Sequence, residues 1–409
     1  MKKYLVLLCS MLIVLGAFTF ASADDAGMDS ARAMAPGAKV IIGGDAYVRG
    51  IWQQNFDTVA DDDDDARFFD ERVRLKVNAE VGDGIEARAR VVLFGNADGD
   101  EATLDGGETL RHEYTVDYAY LHVPVGSVTI DTGLYKRNFG NRLNIWDSRV
   151  TTLQVSANVN NIDLAAYLDK VDETSAELTG SDNLDDYDAY GFVVSTSIND
   201  IKLGALLHLQ QDNRPDSYRV GAVDPSDDSG YIIGVYADAK VSNIDLKGEF
   251  AYEGGDLNEG PDGDAGMGLF VSGSMPMNQI TVGATAVYAA SGFAADDHFN
   301  PTLLIGTDQV TAIMDFGAND DETSYGIAVS ADYAVNDDLS VGGKLAYYAF
   351  PDQAWDGDDA TLTEVDLSAT YKLGANAQYT VDFAYGSVDG FTDEDDAPMV
   401  LANAIEVWF

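Results

Sequence analysis

Val73-Arg74-Leu75-Lys76-Val77-Asn78-Ala79-Glu80-Val81-Gly82-Asp83-Gly84-Ile85-Glu86-Ala87-Arg88-Ala89-Arg90-Val91-Val92-Leu93 decides the fold. Val73, Leu75, Val77, Ala79 and Val81 make one apolar row, and Ile85, Ala87, Ala89, Val91 and Leu93 make the returning one. Gly82-Asp83-Gly84 turns the chain between them. The alternate positions carry Arg72, Arg74, Lys76, Asn78 and Glu80, then Glu86, Arg88 and Arg90. A period of two places successive side chains on opposite faces of a strand, so this hairpin has one dry face and one charged face. Repeated around a closed sheet, the pattern is a transmembrane antiparallel β-barrel, dry outside and wet inside.

Working outward, the same alternation recurs in 39–54, 67–81, 85–96, 109–123, 127–139, 148–157, 160–169, 187–198 and 201–211. It continues in 229–241, 244–254, 266–275, 279–290, 323–335, 339–350, 361–373, 376–387 and 399–409. That predicts 18 strands, with 16 as the alternative because 148–157 and 160–169 are the weakest pieces. Gly/Asn/Asp/Pro hairpin signals fall at 82–84, 124–126, 158–161, 199–200, 242–243, 276–278, 336–338 and 374–375. Every other connection is longer and reads as polar. Short periplasmic turns alternating with long outer loops are the barrel pattern, and an even strand count leaves both termini in the periplasm. Tyrosines on the dry face form two bands: Tyr333, Tyr371 and Tyr379 near short turns, and Tyr252, Tyr288, Tyr347 and Tyr385 near long loops. Two aromatic girdles at the membrane interfaces produce such bands, although strands are in any case rich in tyrosine.

The N-terminus reads as an export signal. Met1-Lys2-Lys3 is basic, Tyr4 to Phe20 is apolar, and Ala21-Ser22-Ala23 is a small-residue cleavage site. The expected organisation is a cleaved signal peptide at 1–23, a short leader at 24–38 and one barrel domain at 39–409. Cys9, the single cysteine, lies inside the apolar stretch, so the mature chain is expected to lack thiols, disulfides and thiolate metal sites. After the signal no apolar run is long enough for a transmembrane helix.

The formal net charge is −46, and removing Lys2 and Lys3 with the signal makes it −48. Most acids gather in the connections: Asp61 to Asp65, Asp98 to Glu101, Asp182 to Asp188, Asp224 to Asp228, Asp256 to Asp264, Asp320 to Glu322, Asp352 to Asp359 and Asp389 to Asp396. Such runs are solvated and repel phosphate, so no nucleic-acid partner is expected. They suit weak divalent-cation binding, or simply a hydrated outer surface. Asp262-Gly263-Asp264 and Asp356-Gly357-Asp358 lack the 12-residue spacing and terminal glutamate of a calcium loop. No cofactor and no specific metal site is expected.

Catalysis finds no support in the sequence. His112, His122, His208 and His298 are scattered, and Gly-x-Ser-x-Gly, His-Glu-x-x-His and phosphate-loop patterns are missing. His208 alternates with Lys202 and Gln210 on a wet face, where a lumen-lining histidine needs no further explanation. The organised feature is basic. Arg49, Arg72, Arg74, Lys76, Arg88 and Arg90 share the wet faces of the first three strands, while lumen acids lie mainly in later ones: Asp245, Glu249, Glu364, Asp366 and Asp382. Opposed walls of this kind set a transverse field in a narrow pore; the alternative is scattered solubilising charge.

Residues 1–23, the hairpin series and the ending Leu401 to Phe409 resemble an outer-membrane porin of Gram-negative bacteria. The terminal aromatic with alternate hydrophobic residues before it resembles that family's assembly signal. Phe409, Val407, Ile405 and Leu401 fit it, and Asn403 departs from it. Tyr118 to Leu121 and Gly126 to Leu134 resemble the porin stretch before the constriction loop. The resemblance implies that residues 139–149 fold into the pore, carrying Asp147 with Arg137, Arg142 and Arg149. It implies a passive, water-filled channel for small hydrophilic solutes and ions, with a substrate-selective channel or a structural or adhesive barrel as alternatives. It implies outer-membrane lipid, lipopolysaccharide and the barrel assembly machinery as partners, and a homotrimer. The acidic composition and leader look most like the homotrimeric porins of sulfate-reducing bacteria.

Overall fold

A computed structural model describes residues 39–56, 65–94, 115–173, 186–212, 228–255, 265–290, 293, 295–296, 298–306, 311–313, 316–317, 323–351, 359–390 and 397–409. The signal, the leader, Cys9, His112 and most of each acidic run lie outside the described residues.

The first strands are β1 (Lys39–Gln54), β2 (Ala66–Gly82), β3 (Ile85–Phe94), β4 (Thr115–Val125), β5 (Val128–Arg137) and β6 (Ser148–Val159). Next come β7 (Ile162–Glu173), β8 (Asp186–Ile198), β9 (Ile201–Asp212), β10 (Asp228–Val241), β11 (Ile244–Gly255) and β12 (Gly266–Met277). The last are β13 (Ile280–Ala289), β14 (Ser324–Ala334), β15 (Leu339–Phe350), β16 (Ala360–Gly374), β17 (Ala377–Asp389) and β18 (Met399–Trp408). Each pairs antiparallel with its sequence neighbours, and β1 also pairs with β18, so the sheet closes on itself. Closure satisfies every strand's backbone groups and leaves no edge, which a lipid environment requires. The strand number is 18, and the 16-strand alternative falls: the two weak segments form a continuous ladder from Thr151↔Lys170 to Val159↔Ile162. Asn160 and Asn161 turn that hairpin with φ of 53° and 66°. Two left-handed residues in a two-residue turn match the twist of the strands, and asparagine tolerates that conformation.

The alternation sorts as the sequence predicts. Ile327, Leu345 and Leu367 are 56%, 52% and 53% exposed on the outer face. Tyr333 and Tyr371 are exposed there beside short turns, and Tyr347 and Tyr385 beside long connections. At the seam, Phe409 donates its backbone N–H to Gly44 O (3.0 Å) and accepts from Gly44 N (2.8 Å). Its ring lies so close over Gly44 that a Cβ would strike it. Asn403 points outward yet is satisfied, because its Nδ2 donates to Gly50 O at 3.2 Å. Gly50 carries no side chain to cover that carbonyl, so the asparagine caps it. This explains the one polar break in the terminal pattern.

Candidate functional site

The inner face is not an open wall. Residues 138–147, joining β5 to β6, cross the inner surface of β7 to β11. The Asn141 and Leu143 backbone N–H groups donate to Glu249 Oε2 of β11, the latter at 3.4 Å, and Asn141 Nδ2 donates to Gly248 O at 3.2 Å. Asn144 Nδ2 donates to Glu253. Gly140 has φ +63°, and a Cβ there would collide with the Glu249 carboxylate, so glycine is required twice over. Phe139 and Ile145 pack with Tyr167, Leu206, Ile232 and Tyr236 on the wall.

A second inward segment lies within the β13–β14 connection, and here the sequence reading is corrected. The sequence reads that connection as polar, but Phe293, Phe299, Leu304, Ile305 and Phe316 are buried against the wall with Tyr348, Leu362, Ala384 and Val400. Apolar side chains of this number gain by leaving water, and the inner wall opposite them is lined by small residues and Tyr348. Thr302 Oγ1 donates to Glu364 Oε2 (2.6 Å), and Leu304 N donates to Glu364 Oε1 (2.7 Å). Lys344 Nζ donates to Pro301 O at 2.8 Å. The sequence carries a signal for this: 293–316 holds Phe293, Phe299, Leu303, Leu304, Ile305, Ile313 and Phe316 among its polar residues, where most other long connections are runs of acids.

The two segments join inside the barrel. Asp296 N donates to Leu143 O (2.9 Å), and Trp146 N donates to Asp296 Oδ2 (2.6 Å). His298 Nε2 meets Asp147 Oδ2 and its Nδ1 meets Asp296 Oδ1, both at 3.3 Å. Hydrogen bonds to Asp147 and then Asp296 push the His298 pKa up to about 9, against the effect of burial. Burial acts to raise Asp147, but hydrogen bonds from His298 and Lys136 outweigh it and hold its carboxyl well below the usual range. The His298 contribution is therefore fully present below its unfolded value of about 6.5 and is lost as pH rises through about 9. The Asp147 contribution is present above its unfolded value of about 3.9 and is lost as pH falls well below it. The inter-segment contact should hold at pH 7 and loosen above pH 9. Backbone hydrogen exchange in 138–147, taken relative to the unstructured-chain rate at pH 7 and pH 10, checks this: protection should fall in wild type at high pH, and H298N should show the lower protection already at pH 7.

The basic residues predicted for the pore are on the inner wall, with Arg142 in the first inward segment, and most of their charge is matched locally. Arg49 pairs with Asp70 (2.8 Å) and Arg74 with Asp45 (2.8 Å), each pair directly opposite across β1 and β2. Arg88 pairs with Glu86 at 2.7 Å. Arg90 and Arg149 share buried Asp117, the latter at 2.6 Å. Arg137 is buried, bonded to Asp169 at 2.6 and 2.7 Å, and its guanidinium lies 3.4 Å from the Tyr167 ring centroid. Arg142 stacks on Trp146 at 4.9 Å, and Asp147 pairs with Lys136 and Arg149. Arg72 lies over the Tyr47 ring at 4.8 Å, and neither it nor Lys76 forms an ion pair among the described residues. The reading that lumen acids sit mainly in later strands is thus corrected. Asp45, Asp70, Asp117 and Asp169 were missed, and a half-buried guanidinium needs such partners because an unpaired buried charge is costly.

Tyrosines interleave with these arginines. Arg88 and Arg90 lie 5.8 and 5.1 Å from the Tyr120 and Tyr118 rings. His208 is buried between Tyr167 OH (2.8 Å) and Gln210 Nε2 (3.0 Å), and His122 bonds Asp131 at 2.8 Å. A recess of about 220 Å³ opens beside the first inward segment, lined in part by Arg137, Asn144, His208, Gln210, Glu253 and Asp296. No group of three or more histidine, cysteine or acidic side chains suited to a metal occurs among the described residues.

No family model matches this chain, and no curated protein does. Solved structures do match its fold. OccK1 (OpdK) of Pseudomonas aeruginosa is 13% identical with a TM-score of 0.57, covering 92% of this chain and 100% of its own. OccK3 (OpdO) of the same organism is 12% identical with a TM-score of 0.57, covering 92% and 96%. OprD, also from Pseudomonas aeruginosa, is 12% identical with a TM-score of 0.56 and the same coverage. At this identity the likeness is one of fold: a closed 18-stranded antiparallel barrel of the type these outer-membrane proteins adopt.

Proposed function

We propose that this chain is an outer-membrane channel of a Gram-negative bacterium, passing small hydrophilic solutes and ions by diffusion. The observation that carries this is the closed barrel with an apolar exterior and a charged, hydrogen-bonded interior. Such a wall has no use in a soluble protein and suits water-filled passage. No enzymatic step belongs to this reading. Export by a cleaved signal, insertion by the assembly machinery, contact with lipopolysaccharide and a homotrimeric state complete it. The trimer and the likeness to porins of sulfate-reducing bacteria rest on composition and leader alone.

Single-channel conductance of the purified protein in planar bilayers, with reversal potentials across a salt gradient, tests the reading. In that assay Arg72→Gln with Arg88→Gln should shift permeability toward cations. Arg72 has no ion-pair partner among the described residues, and loss of Arg88 leaves Glu86 unpaired. Wall charges act within the roughly 8 Å screening length at physiological salt, whereas acidic loops farther out are largely screened. An unchanged reversal potential in the double variant would remove these arginines from the ion path.

A second reading, a substrate-selective channel of the same architecture, is favoured by the two segments that occupy the barrel. A lumen crossed by an apolar-cored obstruction discriminates by shape more than an open one does. OpdK, which shares the fold, has also been solved with vanillate. Competition of single-channel current by a panel of small solutes separates the two readings.

A further inference from the structure

We propose that Glu249 and Glu364 are positioning residues that hold the two inward segments as a single crossbar and thereby set the opening of the pore; this rests on the channel reading above. The two carboxylates share an unusual situation. Both project inward from strands, on β11 and β16, at positions where the wall needs only an inert side chain. Glu249 is 2% exposed and Glu364 is fully buried. Neither forms a salt bridge among the described residues. A buried carboxylate without a cation is costly unless hydrogen bonds to its oxygens replace water.

In both cases those hydrogen bonds come from backbone or hydroxyl donors of an inward segment. Glu249 accepts from Asn141 N and Leu143 N, and Glu364 accepts from Leu304 N and Thr302 Oγ1. These donors belong to turns that lack a ladder of their own. Each donor therefore needs an acceptor supplied by the wall, and a glutamate side chain provides one to each segment. Gly140 lets the first segment come down onto its carboxylate without a Cβ in the way. The barrel ladders themselves need neither side chain, because both positions are laddered on each side: Glu249 opposite Tyr236 and Phe270, and Glu364 opposite Ala346 and Gly386. The pins therefore serve the segments and not the wall.

The segments are also tied to each other. Asp296 N to Leu143 O, Trp146 N to Asp296 Oδ2, and the contact of His298 with Asp147 bridge them. A unit pinned at two points and bonded in the middle moves as one. Releasing either pin loosens both segments, so the effect of one glutamate is readable on the far segment.

The test uses the purified full-length mature chain with L143C as a reporter, since the sequence holds no cysteine other than Cys9. Leu143 is fully buried, so its labelling by a thiol reagent reports release of the first segment. E249L should raise single-channel conductance about twofold or more, because conductance follows the open cross-section, and should speed L143C labelling. E249Q keeps an acceptor oxygen in place and should give a smaller rise in both. E364L, on the other strand, should also speed L143C labelling. A purely local packing role would not move a reporter on the other segment. Heat-shift electrophoresis shows that each barrel is folded, and E249Q and E364Q carry the test if a leucine variant does not fold. Wild-type conductance and wild-type labelling in folded variants would overturn the proposal. Faster labelling in a protein that forms no channels would overturn the channel reading and leave the pins standing.

Discussion

Replacing Phe409 with Asp should abolish insertion into the outer membrane in cells, while the purified variant still refolds into detergent. The two halves of that result have different causes. The backbone bonds between Phe409 and Gly44, at 2.8 and 3.0 Å, do not depend on the side chain. A charge on the outer face near a membrane interface costs only about 0–1 kcal/mol, against about 2–4 at the midplane. Phe409 directly follows the last strand, at the short-turn end of the barrel, so barrel stability changes little. What the variant loses is the aromatic that continues the outward row of Ile405 and Val407, which resembles an assembly signal. Cell fractionation with heat-shift electrophoresis should find at least about tenfold less folded, membrane-inserted protein, equivalent to about 1.4 kcal/mol in partition between assembly and degradation. Wild-type insertion in cells would sink the assembly role. Failure to refold in detergent would place the defect in the barrel itself.

What the sequence makes legible follows from which interactions are local. Period-two alternation is a property of adjacent residues, so all 18 strands could be read, including the two weak ones. Turn residues are local too: Asn160, Asn161 and Asn199 take left-handed φ where hairpins were expected. Alternation also gives the face of each side chain, which is why Arg49 and Arg72 to Arg90 could be placed inside. It does not give the height of a residue against its neighbour across a long connection. Arg49 opposite Asp70 and Arg74 opposite Asp45 depend on the β1–β2 register, which a long connection leaves open. The partners of the inward segments are farther still: Glu249 lies 106 residues from Leu143, and Asp296 lies 150 from Trp146. No window along the chain contains both ends of such a bond. The β13–β14 connection is illegible for another reason: its apolar residues lack any strand or helix period, because they fit an existing concave wall and do not build an element.

Leu304→Asp should open the pore while leaving the barrel intact. Leu304 is fully buried in the apolar cluster and lies so close to Gly386 that a Cβ there would strike its Cδ1. Its N–H donates to Glu364, and its carbonyl accepts from Ile313 N at 2.9 Å. Truncating a buried leucine costs about 2–5 kcal/mol through lost transfer and an unfilled cavity. A carboxylate in its place adds an uncompensated buried charge, worth several kcal/mol more after relaxation. That exceeds what a connecting segment with few pins withstands, since local opening occurs at free energies well below global unfolding. The closed ladder of strands does not include Leu304, so the segment leaves the wall and the barrel stays. The expected readout is an unchanged heat-shift pattern with single-channel conductance raised by about twofold or more and a weaker dependence on solute shape. Leu304→Met, a near volume-conserving change that costs less than about 1.5 kcal/mol, should conduct as wild type. If Leu304→Asp keeps both its folded mobility and its wild-type conductance, the segment does not restrict the path.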